Sequence, residues 1–74
     1  MEEFFMSRTS AIALIVRSRK SLLADAEERM PADAERLNAA AADLTRLLLD
    51  VRAGRVNAFE LNQPTRMRVF ISAD

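Results

Sequence analysis

Pro31 divides two long stripes of apolar residues, and no other feature constrains the fold of this chain as tightly. Before it, Ile12, Ile15/Val16, Leu22/Leu23, Ala26 and Met30 recur at helical spacing, which predicts a helix over about residues 9–30. Alanine and leucine dominate this segment, and no glycine interrupts it. Ser7, Thr9 and Ser10 are all suitable N-terminal caps. Proline disfavours helical geometry in the residue before it, yet its fixed φ suits the first turn of a new helix. The second stripe runs through Leu37, Ala40/Ala41, Leu44, Leu47/Leu48 and Val51, which predicts a helix over about 31–53. Asp33 and Glu35 lie near its positive end, and Gly54 is placed to terminate it. Two such helices joined by a short turn make an antiparallel hairpin.

A chain of 74 residues is one domain with a small core. Such a core rarely supplies more than about 3–5 kcal/mol, so reinforcement is expected. Leu14 and Leu49 fall outside the two stripes, which makes both helices apolar on more than one side. The resulting expectation is an all-α protein, a single domain over 1–74, whose hairpin pairs with a second copy as a homodimeric four-helix bundle.

The extension over 55–74 reads differently. Asn57 and Glu60 have capping-box spacing, which predicts a short helix to about Leu61. Asn62, Gln63 and Pro64 break it. Met67, Val69 and Ile71 then alternate with Arg66, Arg68 and Phe70, the pattern of a strand. A lone strand needs a partner. The N-terminal segment EEFFM, the same tail of a second copy, and the sheet of another protein could each provide one. All four phenylalanines (Phe4, Phe5, Phe59 and Phe70) lie outside the hairpin.

Arg19 stands within the most apolar face of the first helix, roughly 20° from Ile12 in projection. Three roles are open to it. It can pair with Asp43 across the hairpin and fix the register, extend its stem to the rim, or anchor a partner's carboxylate.

The sequence has neither cysteine nor histidine, which removes thiolate and imidazole chemistry and the usual zinc sites. Its single glycine leaves no phosphate-cradling loop. Glu27 and Glu28 are helix neighbours pointing about 100° apart, so they do not form an acid–base pair. Asp25 and Glu28 share a face, the pattern of a solvated surface. The expectation is a chain that is not an enzyme, with no catalytic residue, metal or cofactor.

Net charge is zero, which argues against a general polyanion binder. Ten of the eleven basic residues are arginine and alanine is abundant, a bias that a GC-rich bacterial or phage genome produces without functional cause. The longest apolar run, AIALIV, is far below the roughly 20 residues needed to span a bilayer. A cytoplasmic protein with no membrane association is expected. Its expected function is binding a protein partner as an adaptor, chaperone or inhibitor-type regulator. The partner contacts would be Phe59, Val69, Phe70 and Ile71 of the tail with Leu14 and Leu49 of the helices. The alternative is a small dimeric nucleic-acid-binding regulator that contacts phosphates through Arg17, Lys20, Arg66 and Arg68.

Overall fold

The computed structural model describes residues 1–62 and 66–72. Its elements run β1 (Glu2–Met6), α1 (Arg8–Glu27), α2 (Pro31–Arg52), β2 (Ala58–Leu61) and β3 (Met67–Ile71). The strands form one three-stranded mixed sheet in the order β1-β3-β2. Central β3 pairs with β1 in parallel, Phe4 beside Val69, and with β2 antiparallel, Phe59 beside Val69. The protein is therefore α+β, and the all-α expectation is corrected.

The helical hairpin itself is present. Ser7 caps α1, its Oγ accepting from the Ser10 backbone N–H at 3.1 Å. Pro31 occupies the first turn of α2. At the other end Gly54 takes φ 78°, and the N–H groups of Gly54 and Arg55 close onto the carbonyls of Val51 and Asp50. That double closure satisfies two carbonyls which a helix end leaves orphaned. The helices end at Glu27 and Arg52, slightly short of the expected 30 and 53.

What the periodicity of the helices could not reveal is their covering. Ala11 and Ile15 of α1 and Val51 of α2 form one core with Phe59, Leu61, Met67 and Val69 of the sheet. Leu14, Leu44, Leu47, Leu48 and Ile71 pack around it. The cover expected from a second hairpin thus comes from the chain's own strands, and the four-helix bundle is not this fold.

The short helix expected from Asn57 is strand β2. Its residues alternate exposed and buried, with Phe59 and Leu61 turned inward. The Asn57 side chain caps no helix; its Oδ1 accepts from Arg8 Nη2 at 2.9 Å, and its carbonyl accepts from Ile71 N–H at 2.8 Å. Arg8 also donates to the Val51 carbonyl at 2.8 Å, so one side chain ties the start of α1 to the end of α2.

Arg19 does not pair with Asp43. Its Nε donates to Thr45 Oγ1 at 2.8 Å, and Thr45 in turn donates to the Ala41 carbonyl at 3.2 Å. Asp43 instead faces Arg46 on its own helix, with both side chains exposed. The hairpin register thus carries a neutral acceptor where a carboxylate was expected. No helix among the described residues is long and apolar enough to cross a membrane.

Candidate protein-interaction surface

Side chains alternate across a strand, so each strand sends one set toward the helices and the other away from them. Phe59, Leu61, Met67 and Val69 form the inner set. The outer set is Glu3 and Phe5 of β1, Arg68 and Phe70 of β3, and Ala58 and Glu60 of β2. Both helices pack against the inner side, and among the described residues no element covers the outer side.

Strand register arranges that outer face in two rows. One places Phe5, Phe70 and Ala58 side by side, and the other Glu3, Arg68 and Glu60. The Phe5 and Phe70 rings stack with centroids 5.0 Å apart and planes inclined by 19°. Phe5 is nevertheless 74% exposed, because only one of its ring faces is occupied. Arg68 lies between the two carboxylates, 3.7 Å from Glu3 and 3.6 Å from Glu60. The charged row is therefore net acidic, one guanidinium against two carboxylates.

The residues expected to contact a partner separate sharply on this frame. Val69 is fully buried and Phe59 nearly so. Ile71 and Leu14 are half-buried against the core. Phe70 lies on the outer sheet face, while Leu49 is 55% exposed on α2. Leu49 is thus the one exposed member of the set, and Phe70 is a half-buried member that faces away from the core, on a different element. Arg17, Lys20 and Arg66 are exposed, and Arg68 is held between its carboxylates.

Phe5, Glu3 and Glu60 were missed. The doublet Phe4–Phe5 carried a usable signal, since adjacent residues of any strand face opposite sides and one aromatic must point away from the core.

Elsewhere, a cleft of about 360 Å³ opens where the hairpin overhangs the end of β2. Leu22, Leu44, Leu47 and Leu61 form its apolar wall, with Asp43 and Glu60 at its edge. Both carboxylates already face arginines, Arg46 and Arg68. Among the described residues no three metal-ligating side chains converge.

The family described as "Uncharacterized protein BTH_I2711-like" matches residues 2–71, which spans every strand and both helices. The chain belongs to the BTH_I2711-like family. No curated protein and no solved structure matches it. Membership extends over the two outer strands as well as the hairpin, so the sheet face described above falls within the family's span.

Proposed function

We propose that this chain is a non-enzymatic protein-binding module, an adaptor or inhibitor-type regulator, that engages its partner through the uncovered sheet face. The observation that carries this reading is the Phe5–Phe70 stack on a surface no helix covers. Aromatic side chains supply much of the binding energy of protein interfaces, and they do so from positions that can be fully desolvated. The acidic row beside the stack sets the chemistry of the partner. A segment with apolar side chains and a flanking lysine or arginine would cover the rings and meet Glu3 or Glu60.

The nucleic-acid alternative draws less support. Arg68, counted among its phosphate contacts, is neutralised by two carboxylates, which would also repel a phosphate. Of the remaining cations, Arg17 and Lys20 lie on α1 and Arg66 lies just before β3, so the four do not share one element.

The test is capture by the tagged full chain from a GC-rich bacterial lysate, with and without nuclease, followed by Phe70→Ala. The expected result is a stoichiometric protein that survives nuclease and moderate salt and is lost with Phe70→Ala. Recovery dominated by nucleic acid, falling steeply as salt rises, would overturn the reading.

A further inference from the structure

β1 is an edge strand whose backbone bonding can be assigned residue by residue. Ser72 N–H donates to the Met6 carbonyl at 2.8 Å, and Met6 lies beside Ile71 in the parallel ladder. In a parallel pair, alternate residues bond to the same neighbour, so Glu2, Phe4 and Met6 are the residues that bond to β3. The N–H and C=O groups of Glu3 and Phe5 consequently point outward. Among the described residues no strand lies beyond them.

We propose that this edge pairs with the β1 edge of a second copy, antiparallel and centred on Phe4, to give one continuous six-stranded sheet. The chemistry is self-complementary. With Phe4 on the two-fold axis, Glu3 lies opposite Phe5 of the second copy and Phe5 opposite its Glu3. Both are hydrogen-bonded pairs, so all four outward groups of each copy find partners in one step. Phe4 faces its own counterpart as the non-bonded pair, where side chains approach most closely. Phe4 is 38% exposed although it shares the inner face with fully buried Val69, because no strand among the described residues lies on its edge side. Its counterpart would provide that cover.

Charge agrees with the same register. Glu2 falls opposite Met6 and Glu3 opposite Phe5, so no carboxylate faces another across the axis. The edge also lacks the proline, lysine or bulge that usually blunts such strands. The opposite edge does not offer the same fit. A β2 pairing would be centred on Phe59, which is already 8% exposed and gains nothing from a counterpart.

This inference is independent of the partner proposed for the outer face, because it is read from the mass of the isolated protein. Sedimentation of the pure chain is expected to give twice the 8.3 kDa monomer mass. Phe5→Pro removes an N–H that β3 does not use, and it is expected to weaken dimerisation by roughly 100-fold while helical circular dichroism is kept. Phe4→Cys gives the chain a single thiol, since it has no cysteine of its own. Opposed Cα atoms in a non-bonded pair are about 4.5 Å apart, within disulfide range, so mild oxidation is expected to link the copies covalently. Leu49→Cys, exposed on α2, serves as the collision control. A wild-type chain that remains monomeric at millimolar concentration overturns the proposal, and so does Phe4→Cys crosslinking no faster than Leu49→Cys. A strand of some other protein on this edge would leave the pure chain monomeric, which counts against it equally.

Discussion

The two faces of the sheet are built from the same three strands, yet they follow opposite physical rules. Inward, Val69 is flanked by Phe4 and Phe59 and closed over by both helices' apolar residues. Outward, its neighbour Phe70 stacks on the Phe5 ring and is only half-buried. One step along the chain separates a position whose character is fixed by packing from one that packing leaves free. Large apolar residues on the free side therefore call for a different explanation from those inside, and the partner binding proposed above would supply one.

Substitution at that single step should break the comparison most sharply. Val69→Lys buries an unpaired charge, at a cost above the roughly 3–5 kcal/mol that a core of this size supplies, so the chain is expected to unfold by circular dichroism. Phe70→Lys, one residue on, is expected to fold with helicity intact.

The same contrast recurs on α1, at smaller scale. Ile15 is fully buried and Val16 is 45% exposed. Ile15→Ala should cost about 2–5 kcal/mol in urea unfolding, against about 0.5 kcal/mol or less for Val16→Ala.

On the outer face, Phe70→Ala should lower stability by about 1 kcal/mol through loss of the aromatic stack, with a larger effect on partner capture than on unfolding. Arg19→Leu should produce the smallest change, within about 0.5 kcal/mol in urea unfolding. Thr45 keeps its bond to the Ala41 carbonyl when the guanidinium is gone, so no polar group is stranded. A loss well beyond that range would show that the interhelical bond fixes the hairpin register.

Which parts of the molecule were legible in the sequence follows from how many periods each element contains. α1 and α2 span several turns each, so Ile12 through Met30 and Leu37 through Val51 repeat often enough to declare a helix. β3 showed its alternation across Met67, Val69 and Ile71 and was read as a strand. β2 has four residues, too few for period two to outweigh the capping-box spacing of Asn57 and Glu60. β1 displays two glutamates followed by two phenylalanines, a pattern without alternation. It could be named as one of three partners for β3, but pairing is a tertiary fact that composition does not encode. Arg19 illustrates the same limit. Its placement opposite α2 could be read, but whether Thr45 or Asp43 met it depended on helix rotation within a single turn.

The parallel pairing of β1 with β3 also governs the order in which the molecule can be made. Glu2 lies beside Met67 and Met6 beside Ile71, with both helices threaded between them. During synthesis β1 emerges before β3 and must wait, unpaired, until both helices and β2 have followed. The hairpin has no such delay, since its contacts lie between consecutive elements. A chain truncated before residue 67 would thus carry both helices and an aromatic β1 with nothing yet to pair with it.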